Sequence, residues 1–317
     1  ADRVLKSGTP PPEWGAMLVV TYNIQWGMGR DGIVDLERIA RTIEGADLIA
    51  LQEVERGWRP ETGDQVARFA ELFPRHHWVY GVAVDIDGSE VAADGRVHTH
   101  RRQYGNLILS RWPIASTRSW PLTKYPVHQR MNDQSILLEA VIEAPGCDLR
   151  FYNTHLNYLS QDQRRIQIEE VLKVLREAPL QGPVIVADGL DDATFRLDGV
   201  PALDRRRPTM PATAILVGDF NTWTSSPEYR RIVGDRDPNY GFMHGADRLA
   251  DTLTVCGFSE TAGITYPAKG EDVAQRIDYC FVTYDLVPAV KRAWIDEAAD
   301  GSDHQPVWAE LVPGKPA

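Results

Sequence analysis

Cysteine is scarce in this sequence. Its 317 residues include only Cys147, Cys256 and Cys280, an odd number without the short spacings of a zinc knuckle. Neither a disulfide framework nor a cysteine-based zinc site is indicated, and we expect the three thiols to be reduced packing residues.

Long apolar runs are also missing. No segment approaches the roughly 18 consecutive apolar residues that cross a membrane, and the first residues lack the apolar core of a signal peptide. We therefore expect a soluble protein. A cytoplasmic location is favoured, and a secreted or periplasmic mature form is left open.

Positive charge is in deficit. Lys and Arg number 34 against 45 Asp and Glu, which gives a net charge of −11. Proteins that bind long nucleic acids usually present a basic face, so this balance disfavours such a ligand. A small phosphate ester held at a metal site is less affected, because it senses the metal more than the distant surface.

What the sequence does contain is a series of short apolar runs typical of β-strands. These runs are residues 17–22, 47–52, 104–110, 135–142, 149–154, 214–217, 277–283, 289–295 and 306–311. Helical spacing is clearest in residues 34–43 and in residues 161–177, where Ser160 is a candidate N-cap. Ser225-Ser226-Pro227 likewise resembles a cap with proline in the first turn. Many strands and few helices predict an α+β fold. We expect a lead segment, residues 1–15, and one catalytic domain, residues 16–317.

Two segments share an apolar run followed by aspartate: residues 183–189 with Asp188, and residues 214–220 with Asp219. Only Asp219 has an asparagine, Asn221, two positions later, so we favour it as the catalytic aspartate. Asp188 then opens an insertion at about residues 188–213. This insertion is interpreted as a surface flap, an interface segment or an inert loop.

Polar side chains follow several of the apolar runs. Asn23, Glu53 and Asp219 come at or just beyond the ends of runs, and His155 and Asp278 also arise from them. Each alone is explained equally well as a capping or turn residue. Strand ends hold side chains rigidly and leave them open to a ligand, so the set together predicts one cleft.

These residues belong to motifs that resemble those of the endonuclease/exonuclease/phosphatase superfamily, which is deoxyribonuclease I-like, in order over almost the whole chain. The motifs are Tyr22-Asn23-Ile24, Leu51-Gln52-Glu53-Val54, residues 105–110, Thr154-His155-Leu156, Gly218-Asp219-Phe220-Asn221, Arg276-Ile277-Asp278-Tyr279 and Ser302-Asp303-His304. The resemblance implies a four-layered α/β/β/α sandwich of two mainly antiparallel sheets flanked by helices.

The resemblance also implies a divalent metal. Asn23, Glu53 and Asp303 would hold Mg²⁺ or Mn²⁺. The residue chemistry agrees, because these hard ions prefer carboxylate and amide oxygens.

The remaining motif residues would carry the reaction. Asp219 would position or deprotonate the attacking water, and Asn221 would orient the water and the phosphoryl oxygens. His155 and His304 would contact those oxygens. Asp278 would hydrogen-bond one nitrogen of His304 and fix its tautomer.

The chain departs from the family pattern at one phosphate contact. Many members carry an arginine where this chain has Asn132-Asp133-Gln134. Arg101 and Arg102, just before Tyr104, are candidates to replace it, with a solvated basic loop as the alternative. Arg102 and Tyr104 are therefore predicted substrate-binding residues.

Tryptophan follows three of the motifs, as Trp26, Trp58 and Trp223. These rings would form an aromatic rim that stacks on a flat or apolar part of the substrate. Trp26 and Trp223 are the predicted substrate contacts. Simple packing of the rings is the equal alternative.

The predicted function is hydrolysis of a phosphate ester, with a phosphodiester favoured, by metal-assisted in-line attack of water. No Gly-x-Ser-x-Gly elbow, His-Glu-x-x-His motif or Walker loop competes with this interpretation. Small nucleotide-like or lipid-headgroup esters fit the acidity best, and nucleic acid is retained. The alternatives are a phosphomonoesterase, a nuclease, or a non-catalytic binding or scaffold protein on the same fold.

Overall fold

The computed structural model describes residues 15–185, 209–243, 245, 247–266 and 274–312. The strands are β1 (Met17–Asn23), β2 (Leu48–Arg56), β3 (His77–Asp87), β4 (Glu90–Val91), β5 (Val97–His98), β6 (Arg101–Ser110), β7 (Ile114–Pro121), β8 (Ile136–Ala144), β9 (Cys147–His155), β10 (Ala214–Asp219), β11 (Arg236–Asp237), β12 (Gly241–Phe242), β13 (Ala250–Asp251), β14 (Asp278–Val282), β15 (Val290–Ile295) and β16 (Val307–Leu311). The α-helices are α1 (Leu36–Thr42), α2 (Gln65–Leu72), α3 (Gln161–Gln181), α4 (Pro227–Val233) and α5 (Thr252–Val255).

Two six-stranded sheets form the centre of the molecule. One has the order β15-β16-β1-β2-β6-β3 and the other β13-β14-β10-β9-β8-β7. Each contains one parallel pair, β1 with β2 and β9 with β10, and its other pairs are antiparallel. Both sheets are therefore mainly antiparallel, as predicted.

The central strands are apolar on both faces because each sheet is covered twice. Val19 and Ile215 belong to a core between the two sheets. Their neighbours Val20 and Leu216 point the opposite way, since successive strand side chains alternate, and each joins an outer core that includes helix residues. The result is four layers, which confirms the predicted α+β sandwich.

Every apolar run in the predicted set forms a strand, but β3 and β7 were not predicted. Both are edge strands, at the ends of their sheets. In β7, polar residues such as the exposed Thr117 and Ser119 interrupt the apolar pattern, and polar residues at an edge help to keep it from pairing with another chain. β3 does contain a largely apolar run, residues 78–84, before its exposed end at residues 85–87, and no strand was predicted there.

The helix starts follow the predicted capping chemistry. The Ser160 hydroxyl accepts a hydrogen bond from the Gln163 amide at the start of α3. Ser226 does the same at α4, where Pro227 occupies the first turn. Within the described ranges, every helix is too short or too polar to cross a membrane.

Part of the predicted domain organisation lies outside the described residues. This applies to the lead segment before residue 15 and to most of the 188–213 insertion, including Asp188. Residues 183–185 are described and do not form a strand. The division into lead segment, catalytic domain and insertion stays a prediction.

Candidate active site

The strand register brings the polar residues to one end of the sandwich. Parallel strands β1 and β2 place Asn23 opposite Gln52, next to Glu53. In the second sheet, β10 places Asp219 between His155 of β9 and Asp278 of β14. The two sheets meet here, because the Asn23 amide nitrogen donates to both Glu53 and Asp219, each at 3.0 Å.

Asp219 lies at the centre of this cluster and is almost fully buried. Its Oδ1 accepts a hydrogen bond of 2.8 Å from the backbone amide of Asn221. Its Oδ2, which accepts from Asn23, lies 3.5 Å from Nε2 of His155 and 3.7 Å from Nε2 of His304. One carboxylate is thus oriented by its own turn and surrounded by an amide and two imidazoles.

The turn around Asp219 uses unusual backbone conformations. Gly218 has φ of +145° and Asn221 has φ of +49°, in the region that L side chains rarely adopt. The Asn221 side-chain nitrogen donates to the Leu156 carbonyl at 3.0 Å, which ties the turn to the end of β9. Strained residues of this kind persist where the surrounding structure holds them, often at functional sites.

We predict that the Gly218→Ala variant is much less stable to unfolding than the wild type. A methyl group here would meet the Thr154 carbonyl oxygen at 1.9 Å and force β9 and β10 apart. We expect a loss of about 3 kcal/mol or more in the free energy of unfolding, measured by urea denaturation.

Gly45→Ala is the matched control for this substitution. Gly45 also has positive φ, +89°, but faces open space, so its cost should stay near about 1 kcal/mol. Equal losses at Gly218 and Gly45 would contradict the role of the Thr154 contact.

His304 and Asp278 form a buried pair behind Asp219. Nδ1 of His304 lies 2.9 Å from the Asp278 carboxylate, so Nε2 faces the cleft. Burial alone would lower the pKa of His304, but the Asp278 and Asp219 carboxylates outweigh it and raise that pKa to about 10. Burial raises the pKa of Asp278, against the opposing effect of the facing imidazole. The pair therefore favours a cationic imidazole.

Glu53 and Asp303 approach the cluster from the other side of Asn23. Glu53 has φ of +62° and lies in a β-bulge between Leu51 and Val54, which lets its side chain reach the Asn23 amide. The Ser302 hydroxyl donates to the Asn23 carbonyl at 2.7 Å and contacts Asp303 at 3.3 Å. Both acidic groups are half-buried.

Sequence reasoning gave no role to a layer of amides beneath the site. The Gln52 amide donates to the Thr21 hydroxyl and to Asn153, and the Asn153 amide donates to the Leu51 and Leu107 carbonyls. These contacts tie the two sheets together below Asn23 and Glu53. The available signal was a polar residue within an otherwise apolar strand.

The predicted substrate residues are dispersed. Tyr104 lies beside Glu53: burial raises its pKa, and the charge and hydrogen bond of Glu53 raise it further. Trp58 lies against Tyr104, with ring centroids 6.1 Å apart. Trp26 stacks on the Arg59 guanidinium at 3.9 Å, and its predicted contact with the substrate stays a prediction. Trp223 is 43% exposed.

The arginines proposed to replace the family's phosphate contact lie on the β3–β6 hairpin. Arg101 pairs with Asp85 at 2.8 Å and with Asp87 at 3.7 Å. Arg102 is exposed and passes beside Gly88. In the described part of the chain, neither forms a hydrogen bond or ion pair with the Asp219 cluster.

The fold and the cluster together define a class of protein, and comparison with known proteins agrees. The profile of the endonuclease/exonuclease/phosphatase family matches residues 20–304. The chain therefore belongs to this family, whose members are metal-dependent phosphoesterases and nucleases. None of the curated proteins compared with the chain gives a match.

Solved structures show the same architecture. An endonuclease/exonuclease/phosphatase from Beutenbergia cavernae superposes with a TM-score of 0.61 at 25% identity, covering 95% of this chain and 73% of its own. A mannosyl-6-phosphatase from Bacteroides thetaiotaomicron superposes with a TM-score of 0.56 at 18% identity, covering 93% of this chain and 99% of its own. Truncated TDP2 from Caenorhabditis elegans superposes with a TM-score of 0.55 at 17% identity, covering 95% of this chain and 98% of its own. At identities this low, the last two bear on the fold alone.

Proposed function

We propose that this protein is a divalent-metal-dependent phosphoesterase that hydrolyses a phosphodiester by direct in-line attack of water. The observation that carries the proposal is the buried Asp219 carboxylate, oriented by the Asn221 amide and faced by His155 and His304. This arrangement can accept a proton from water on one side and balance phosphoryl charge on the other.

The acidic residues around Asn23 fit a hard divalent cation. Glu53 and Asp303 are half-buried, and within the described ranges neither is paired with Lys or Arg. Uncompensated carboxylates of this kind are suited to Mg²⁺ or Mn²⁺. The Asn23 side-chain nitrogen faces Glu53, and its oxygen accepts from the Gln25 amide at 3.1 Å, so Asn23 would add an oxygen ligand only after its side-chain amide turns over. When bound, the metal would neutralise charge on a phosphoryl oxygen.

Asp219, Asp278 and His304 also bring ligand atoms within 4.8 Å of one another. We assign this group to proton handling instead of metal binding, because His304 Nδ1 is already committed to Asp278. The committed nitrogen fixes the tautomer and directs Nε2 towards Asp219. His304 would then donate to a phosphoryl oxygen, and Asp219 would take the proton of the attacking water.

A diester is preferred to a monoester on grounds of charge. Among the described residues, the site gathers several carboxylates but no arginine that is hydrogen-bonded or ion-paired to Asp219, so a doubly charged monoester would meet more repulsion than a singly charged diester. The fold relative named as a mannosyl-6-phosphatase keeps monoester cleavage as the second candidate. A nuclease activity, in line with the family description, is the third.

Metal removal is the direct test. We expect the purified protein to hydrolyse bis(p-nitrophenyl) phosphate with Mg²⁺ or Mn²⁺, to lose this turnover in EDTA, and to regain it when metal is restored. Glu53→Gln should need roughly tenfold or more metal for half-maximal rate, since it loses a ligand charge.

Glu44→Gln is the control for Glu53→Gln, because Glu44 is exposed at the far end of β2 and should leave the metal requirement unchanged. Absence of EDTA-sensitive turnover with every metal would favour a scaffold protein. A panel of plasmid DNA, abasic duplex, sphingomyelin, phosphoinositides, dinucleotides and mannose 6-phosphate would then rank the substrates.

A further inference from the structure

Beside His155 the cleft opens into a small pocket, and most of its lining residues have no role in the proposed reaction. The start of β6, the segment before β8 and the residues after β9 form its walls. The side chains that matter below are Tyr104, Asp133, Gln134, His155, Asn157 and Tyr158. Because Tyr104 also contacts Glu53, and His155 faces Asp219, a group bound in this pocket would adjoin the reacting phosphate.

Asp133 is held in this wall by its neighbours. The Asn132 amide donates to the Tyr125 carbonyl at 2.6 Å and to Gln163 at 3.2 Å. The Gln134 amide donates to the Ser135 carbonyl at 2.8 Å. These bonds fix the backbone on both sides of Asp133.

The Asp133 carboxylate is half-buried and lines the pocket, yet it has no hydrogen bond or ion pair to any described residue. Its charge acts on Tyr104 across the pocket and adds to the burial and the Glu53 charge that raise the tyrosine's pKa. An acidic group thus lies unpaired beside a phosphate site, at the position where the family resemblance leads one to expect arginine.

The other polar groups of the pocket are already engaged. The Asn157 amide nitrogen donates to Asn132, and its oxygen accepts from the backbone amides of Leu159 and Ser160. The Tyr158 hydroxyl donates to the Met131 carbonyl. None of the described residues that line the pocket is Lys or Arg. The pocket atoms left without a partner are mainly hydrogen-bond acceptors, above all the Asp133 carboxylate oxygens. They complement O–H or N–H donors and repel a second anion.

We propose that a hydroxyl or ammonium group of the substrate's esterified alcohol enters this pocket, whose volume of about 20 Å³ has room for one group of that size, and that Asp133 selects an alcohol that donates hydrogen bonds and carries no second phosphate. The inference rests on the proposed phosphoesterase function. Two sources share this chemistry, a polyol and an amino alcohol, and both differ from a phosphorylated alcohol.

Three glycerol phosphodiesters that differ only in one alcohol test the proposal: glycerophosphoglycerol, glycerophosphoethanolamine, and glycerophosphoglycerol with a terminal phosphate. We expect the wild type to prefer the first two over the third by roughly tenfold or more in kcat/KM. Asp133→Arg should shrink or reverse that ratio by a similar factor, since a tenfold change corresponds to about 1.4 kcal/mol.

Asp133→Asn distinguishes the two sources. If the natural alcohol carries an ammonium group, this substitution should lower kcat/KM for the ethanolamine diester more than for the glycerol diester. If the natural alcohol is a polyol, it should lower kcat/KM for both diesters equally. Glu44→Arg is the control, because it makes the same charge change at the far end of β2, and it should leave the ratio unchanged.

The possible failures are separable. If the wild type hydrolyses bis(p-nitrophenyl) phosphate but Asp133→Arg leaves the ratio unchanged, the pocket assignment is overturned and the proposed function stands. If the wild type hydrolyses neither bis(p-nitrophenyl) phosphate nor any of the three glycerol diesters with any metal, the proposed function fails, and this inference fails with it.

Discussion

Asp219→Asn should lower kcat by roughly 10³-fold while the fold persists. The substitution removes the one carboxylate in the described part of the chain that contacts His155, His304 and Asn23 together, and with it the group proposed to take the proton of the attacking water. The new amide oxygen can still accept from the Asn221 backbone, so the turn should be retained. Steady-state hydrolysis of bis(p-nitrophenyl) phosphate and the circular dichroism melting curve measure the two effects.

Asp188→Asn is the control for this experiment. Asp188 follows a similar apolar run but is not followed by an asparagine two positions later, so turnover should be close to that of wild type. A large loss at Asp188 together with wild-type rates at Asp219 would reverse the assignment of the catalytic aspartate.

His304→Gln should have the second largest effect, a loss of roughly 10²- to 10³-fold in kcat. It removes the cationic group that faces the cleft 3.7 Å from Asp219. It also leaves the Asp278 carboxylate buried without its partner, which should cost about 3 kcal/mol of stability. Turnover and urea denaturation should therefore both change.

The double variant Asp278→Asn/His304→Gln separates catalysis from stability. It removes the unpaired buried charge, so the free energy of unfolding should recover in part while turnover stays low. Near wild-type turnover in a well-folded double variant would show that the imidazole is dispensable, and would rule out the proposed role of His304.

The sequence was most informative where burial is complete. Central strands such as β1 and β10 are covered on both faces, so they are nearly continuous apolar runs that can be recognised without a structure. Edge strand β7 was missed because polar residues break its apolar pattern, whereas β3 was missed although its residues 78–84 form a largely apolar run. Helix starts at Ser160 and Ser226 were predictable because capping depends only on local hydrogen bonds.

For the candidate site too, some features were predictable from the sequence and others were not. Motif order identified Asn23, Glu53, Asp219, Asp278 and His304, because these residue types recur at strand ends in the family that the chain resembles. It gave no reason for the β-bulge that turns Glu53 towards Asn23, nor for the unpaired Asp133 in the pocket wall. Both features depend on contacts between segments far apart in the chain.

By itself, then, the sequence determined the α+β class and the central strands, since these follow from local pattern, and it supplied the set of candidate catalytic side chains through the resemblance of its motifs to those of the family. Only the tertiary structure decided that Asn23 bridges the two sheets through Glu53 and Asp219, and that Trp58 lies beside Tyr104. The physical reason is strand register: pairing between distant strands sets which side chains meet, and local sequence does not encode it.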